Sequence, residues 1–407
     1  MVHRQQILYL IIISVAIARC DNYGNTTRNK YLMHLSRNSR RANQNWYQNL
    51  LSDKLTDRQS RFLNLFTVMN IDNLACVGVT GERGTCLTQK ECQKRGGKPN
   101  GGCAGGFAYC CVFLVTCGAT VRENGTYFVN QGFPQNYDGT GSCQITLVKS
   151  SPKICQYRVD FDKFVLAGPE NVNNICNNDQ FMVSGASNVP PICGKNSDNH
   201  MYIDSGEGNT APIILSVVTS GPSFMRTWKM RISQIPCTSR NRGEMGCLQY
   251  YNGVSGQIKS FNYDLATGLQ LSNQDYSICI RAERNFCSIQ YTACPDTVNN
   301  RSQSFTLAGI STNVVQAMTS TCQADFIIIP MAQNVGRPAG TTAITADRFC
   351  GGTLSTETNA MLSSTLRSNV KPFRIWFHTD NVESPTDIGN RGFCLDYVQQ
   401  PCSNIAT

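Results

Sequence analysis

Between Cys117 and Cys402 the chain writes one cysteine-bearing pattern twice, and this duplication limits the folds open to it. "GATVRENGTYFVNQGFP…CQ" after Cys117 corresponds to "CLQYYNGVSGQIKSFNY…CIR" from Cys247. "ICQYRVDF" at 154 corresponds to "FCSIQY" at 286, and "CNNDQFMV" at 176 to "CQADFIII" at 322. "ICG" at 192 returns as "FCG" at 349, and "ISQIPC" at 232 as "YVQQPC" at 397. Correspondences in one order mean two copies of one domain, 117–237 and 247–402, joined by the short polar stretch "TSRNRGEMG". Within the copies, apolar residues alternate with polar ones. Cys155, Tyr157, Val159 and Phe161 share one face of a strand; Gln156, Arg158 and Asp160 share the other. Trp228, Met230 and Ile232 form another such face, and Phe373, Ile375 and Phe377 a third. A period of two with one polar face predicts antiparallel sheets packed as sandwiches, so the fold class is all-β. Turn signals recur, "NG" at 124 and 252 among them, and no long helical pattern is visible.

The cysteines also speak to the compartment. Residues 1–20 pair Arg4 with an apolar run, Ile7 to Ala18, and a small-residue site, the form of a secretory signal peptide. Cleavage after Ala18 or after Cys20 fits that rule; the latter leaves an even set from the 21 cysteines, which suits an oxidising compartment. No second apolar run approaches the ~20 residues of a membrane span, so a secreted product is expected. Sequons at Asn25, Asn124 and Asn300 fit that compartment as glycosylation sites. Six of the nine formal positive charges come from Arg4 and Arg19 in the leader and from the basic stretch at 21–41. The weak residual charge and the compartment argue against a nucleic-acid partner.

Residues 21–75 hold no cysteine and read as a basic tail or pro-segment. "RNSRR" at 37–41 has the Arg-x-x-Arg form that precursor convertases cut, and it also reads as a solvated basic run. "WYQNLLSDKLTDRQSRFLNLF" at 46–66 spaces apolar residues roughly as a helix does. Residues 76–111 then carry Cys76, Cys86, Cys92, Cys103, Cys110 and Cys111. So small a unit cannot bury enough apolar surface to fold unaided, so disulfides must hold it. Zinc is the other use of clustered cysteines, but no Cys-x2-Cys pair is present.

This last spacing resembles the clip module of arthropod proteins, which implies the pairs Cys76–Cys110, Cys86–Cys103 and Cys92–Cys111. The duplicated region resembles the CUB domain: Cys, glycine-rich turn, Cys, alternating strand, Cys-x-x-Asp-Phe, Cys-Gly, then a late strand. Together they resemble secreted CUB-containing proteins of insects. The resemblance implies an antiparallel jelly-roll sandwich per copy and binding rather than catalysis. It also implies the bridges Cys117–Cys143 and Cys176–Cys193 in the first copy, and Cys247–Cys279 and Cys322–Cys350 in the second. Cys155 and Cys237 occupy the repeat positions of Cys287 and Cys402, so one extra bridge is expected in each copy. Cys294 and Cys394 remain. Each has the parity opposite to its strand's apolar set, so both are expected to face outward and meet.

A hydrolase of the serine type needs a nucleophile, a histidine base and an oxyanion hole. Behind the leader only His34, His200 and His378 occur, without a matching serine context, so no enzyme is expected. Calcium is the cofactor the resemblance brings forward, since many CUB domains hold it with three acids. In the first copy Asp179 matches and Glu170 lies near, but the third position falls in "VVTSGPS". In the second copy Asp325 and Asp380 match, while the stretch before Cys322 has no acid. A hard cation needs several oxygen ligands, so each copy is one acid short; ordinary loop-end carboxylates are the other reading. The expected role is a secreted, non-catalytic protein whose CUB pair engages an extracellular protein or glycan. A regulator of a protease cascade docking through the small module, and a matrix or cuticle component, are the alternatives.

Overall fold

The computed structural model describes residues 74–402 apart from 187–188, 297, 299–303, 308–314, 317–321, 338–341, 358–359, 361 and 384–388. The leader, the basic tail with "RNSRR" and the 46–66 stretch, and the sequons at Asn25 and Asn300 lie outside those residues. Residues Asn70–Thr407 cluster as one compact unit.

The small module is a sheet with one helical turn. Strands β1 (Ala75–Val77), β2 (Arg83–Leu87), β3 (Lys98–Cys103) and β4 (Ala108–Val112) run in the order β1-β2-β4-β3, all antiparallel. Helix α1 (Gln89–Lys94) begins at Thr88, whose hydroxyl accepts from the Glu91 N–H at 3.2 Å, as an N-cap should. Successive residues of a strand face opposite ways, which is why two adjacent cysteines can serve different partners. Cys110 reaches across to Cys76, Cys111 reaches Cys92 on the helix, and Cys86–Cys103 closes the remaining loop. Leu87 and Phe113 pack on the inner bridge. Gly97 sits so close to it that a Cβ there would meet Cys111 Sγ at 2.3 Å, so no larger residue fits.

The first sandwich holds β5 (Leu114–Val115), β6 (Thr120–Val121), β7 (Thr126–Val129), β8 (Gly141–Leu147), β9 (Ile154–Val165), β10 (Asp179–Ser184), β11 (His200–Asp204), β12 (Ile213–Thr219) and β13 (Thr227–Pro236). One sheet runs β10-β12-β8-β6 and the facing sheet β11-β9-β13-β7-β5. The alternating faces read from the sequence enter the core: Tyr157, Val159, Phe161, Trp228, Met230 and Ile232 are all buried. Phase then changes, because β9 and β13 slip register at Lys229/Met230, and Phe164 joins Phe161 inside.

The second sandwich holds β14 (Cys247–Tyr251), β15 (Ser255–Lys259), β16 (Asp275–Ile280), β17 (Phe286–Ala293), β18 (Phe305–Thr306), β19 (Val315–Gln316), β20 (Phe326–Asn334), β21 (Thr345–Gly351), β22 (Leu366–Ser368), β23 (Phe373–His378) and β24 (Gly392–Pro401). Its main path is β14-β16-β23-β20-β22-β17-β24-β15, so the short β22 joins the two layers into one continuous sheet.

The structure departs from the expectations in three ways. Pairing is not wholly antiparallel: β5–β7, β6–β8 and β14–β16 are parallel. Cys294 and Cys394 bridge, but both are buried rather than outward-facing. The chain at Ser304 lies across them, with Ser304 N–H donating to Cys294 O and Cys394 N–H donating to Ser304 O, both at 2.9 Å. Finally, the polar joint does not separate the copies. Phe161 meets Phe261 edge-on at 6.4 Å, and one apolar cluster runs through both sandwiches. Gly243 is buried between Tyr202 and Tyr250, and its N–H donates to Gln156 Oε1 at 2.9 Å while its carbonyl accepts from Gln156 Nε2. Gln156 therefore sits on the polar face of its strand yet has no exposure.

Candidate functional site

The acids singled out from the sequence lie at one loop end of each sandwich, and the two ends are built differently. In the first, Asp179 opens β10 and is fully buried. Arg226, also fully buried, binds it with both prongs: Nε to Oδ2 at 2.7 Å and Nη2 to Oδ1 at 3.0 Å. Backbone N–H groups of Ala167 and Ser220 complete the carboxylate at 2.7 and 3.2 Å. Arg226 Nη2 also donates to the Ser220 carbonyl, in the stretch where no third acid was found. A guanidinium thus holds the place and the positive charge that a cation would hold, and calcium at Asp179 and Glu170 does not fit this geometry.

Glu170 has another task. Its oxygens accept from the backbone N–H of Val172, Asn173 and Ile175 at 2.7, 2.7 and 3.3 Å. Burial pushes its carboxyl up, and these three donors outweigh that and hold it below the usual range. The loop so pinned turns at Asn174 (φ 54°) and reaches the second sandwich. Its carbonyl accepts from Ser272 N at 3.1 Å, and its side chain donates to Glu383 Oε1 at 3.0 Å.

There the second set of acids gathers. Asp325 precedes β20 and is buried; its Oδ1 accepts from Asp380 N at 3.0 Å and its Oδ2 from Gln270 Nε2 at 2.9 Å. The same Gln270 nitrogen donates to Glu383 Oε1 at 2.9 Å, so one amide spans two carboxylates. Asp380, at the end of β23, is partly exposed and turns one oxygen to Val382 N. No Lys or Arg pairs with Asp325 among the described residues. Burial, then Glu383, then Asp380 push its carboxyl up to about 8. Gln270 is fully buried and its Oε1 has no partner among the described residues. Sequence reading named Asp325 and Asp380 but missed Arg226, Glu383, Gln270 and Asn174, which no local pattern marks.

The cysteines of the described residues come together in ten bridges. Besides the module's three and Cys294–Cys394, they are Cys117–Cys143, Cys155–Cys237, Cys176–Cys193, Cys247–Cys279, Cys287–Cys402 and Cys322–Cys350. Glu207 lies near Cys155–Cys237 and Glu244 near Cys247–Cys279, but bonded sulfurs offer a metal no thiolate. Asn124 is exposed on the turn before β7, its Oδ1 accepting from Gln234 N at 2.7 Å. His200 is buried with Nε2 3.0 Å from Tyr250 O; burial, then Arg158, lower its pKa to about 4, so it is neutral near pH 7. His378 stacks on Phe326 at 5.0 Å. No helix among the described residues is long and apolar enough to cross a membrane.

Residues 244–400 match the family model of the animal CUB domain. Among solved structures, the chain is similar to the CUB1-EGF-CUB2 domains of rat MASP-1, with 14% identity and a TM-score of 0.24 over 70% of this chain and 99% of that one. The human MASP-1/3 CUB1-EGF-CUB2 domain gives 14% and 0.23 over 68% and 100%. The full extracellular region of zebrafish Gpr126/Adgrg6 gives 11% and 0.26 over 70% and 36%. No curated protein matches the chain.

Proposed function

We propose that this chain, which carries an animal CUB domain over residues 244–400, is a secreted, non-catalytic binding protein that engages extracellular proteins or glycans through two fused CUB-type sandwiches. The observation that carries the reading is the loop-end acid set at Asp325, Asp380 and Glu383, inside the matched domain and fastened to the first sandwich through Asn174. Residues 117–237 act as the first CUB domain, residues 247–402 as the second, and residues 76–111 as a clip-like module. The ten disulfides support an oxidising compartment. The non-catalytic reading is supported by the two described histidines, one capped on a backbone carbonyl and one stacked on a ring, and by described cysteines that are all bridged.

The second sandwich also suits calcium. The carboxylates of Asp325, Asp380 and Glu383 gathered here, with no Lys or Arg paired with Asp325 among the described residues, and the buried Gln270 Oε1, without a partner among them, match the hard oxygen donors the ion takes. Asp325, Asp380, Glu383 and Gln270 would hold it; bound there, it would neutralise the acids and tighten the seam between the copies. The binding reading is tested by retaining extracellular-fluid proteins and a glycan array on the immobilised chain, against a reduced and alkylated control. Partners retained only by the native chain support it; equal retention on both refutes it. Repeating this without residues 76–111 separates the CUB pair from a module that docks onto protease-cascade components.

A further inference from the structure

Three parts of the molecule enclose a cleft of about 660 Å³ on the outer face of the β11-β9-β13-β7 sheet. Its floor is a cross-strand row. Register places His200 opposite Asp160, Asp160 opposite Arg231, and Arg231 opposite Tyr127. Gly81 and Arg83 of the small module form one wall. That wall is fixed by Arg83 N–H donating to Tyr127 OH at 2.9 Å and by Lys229 pairing with Glu82 at 2.7 Å. Ser239 and Asn241 of the joint and Asn252 of the second sandwich form the other. It is fixed by the buried contacts of Gly243 with Gln156 and of His200 with Tyr250.

The chemistry of the cleft selects its occupant. Arg83, Arg158 and Arg231 face Asp160, Asp162 and Asp198, and Arg158 is paired with Asp160 at 2.7 Å. Opposite charges in equal number favour neither a polyanion nor a polycation. Few apolar side chains line it, unlike the usual pocket for an apolar ligand. An added peptide strand needs an open sheet edge, and the edge strand β11 is covered by β14. Besides the charged side chains of Arg83, Asp162 and Asp198, the polar groups left unpartnered in the cleft among the described residues include the buried Arg231 Nε and the exposed side-chain amides of Asn241 and Asn252. Hydroxyl groups, which donate and accept at once, satisfy such a set best.

The geometry points to a binding site for an uncharged, hydroxyl-rich oligosaccharide in this cleft. The inference rests on the binding role proposed above and gives it a place and a ligand class. Isothermal titration of the full chain with cellotetraose, chitotetraose, mannotetraose and laminaritetraose tests it, with a heparin-derived tetrasaccharide and a mixed Lys/Asp octapeptide as rivals. The expected result is binding of at least one neutral tetrasaccharide, weakened about tenfold in the double variant Asn241→Ala/Asn252→Ala and in Arg231→Gln. Both asparagines are exposed, so that double variant keeps its fold, and an unchanged melting temperature verifies this. Failure of all four neutral sugars, tighter binding of heparin fragment or peptide, or neutral-sugar binding that ignores these substitutions overturns the inference. If it falls while the native chain still retains extracellular partners, the general binding role stands without this site.

Discussion

Asp179 and Asp325 each stand three residues after a cysteine at the start of a strand, one in each sandwich, and they reach opposite electrostatic solutions. Asp179 is neutralised inside the protein by a two-pronged arginine. Asp325 is buried among further acids with only amide donors for company. A buried charge is tolerable only when paired or shed. The first copy pairs its charge, and the second holds a proton or a cation. The lesson is that a shared local motif fixes where an acid sits but not its electrostatic surroundings; those come from residues far away in sequence, with Arg226 neutralising Asp179 and Glu383 adding a second acid beside Asp325.

The strongest way to break the comparison is to strip the first copy of its cation. Arg226→Met should cost about 3–5 kcal/mol in denaturant unfolding, because it leaves Asp179 buried and alone. Arg226→Met with Asp179→Leu should recover most of that loss; a double variant as unstable as the single one would show that the pair's charges are not what matters. The second copy should respond in the opposite sense. A raised acid contributes stability that is full below its unfolded pKa and is lost as pH rises through its folded value, here from near 4 to about 8. Asp325→Asn removes this dependence, so in chelator its unfolding free energy in urea should exceed the parent's increasingly from pH 5 to 9, by on the order of 3 kcal/mol at the top. In calcium the parent should gain back the difference and the variant should not, while substitutions at Asp179 should leave the response to the ion unchanged.

His200 sharpens the contrast from the other side. Its depressed pKa contributes stability that is present above pH 6.5 and lost as pH falls toward 4. A His200→Gln variant should therefore lose less stability than the parent between pH 7 and 4.5, by about 2 kcal/mol in thermal or urea unfolding. The smallest effect belongs to an exposed pair. Glu91→Gln, which uncouples Arg95 at the C-cap of helix α1, should shift stability by about 0.5 kcal/mol or less and fade with salt.

Much of the fold was legible because one simple periodicity carries it. Alternation along 155–161, 228–232 and 373–377 named the core faces. The alternation failed where the register slips near Phe161 and where a third segment covers a face, as Ser304 covers Cys294 and Cys394. The candidate site was half legible. Asp325 and Asp380 stand in a recognisable local pattern; Gln270 reaches Asp325 across 55 positions and Glu383 across 113, and Asn174 reaches Glu383 across 209, and no local pattern encodes such a meeting. Arg226 is the same case: a single arginine before a strand looks like an ordinary surface residue until burial is known.

The seam through Gly243, Phe161 and Phe261 has a consequence for how such a chain can change. Domains strung on loose tethers can be copied, swapped or dropped one at a time. These two halves have merged their interiors, and a half removed would leave its partner with a raw apolar flank. The two sandwiches have become indivisible: they would have to be inherited, shuffled or engineered as a pair.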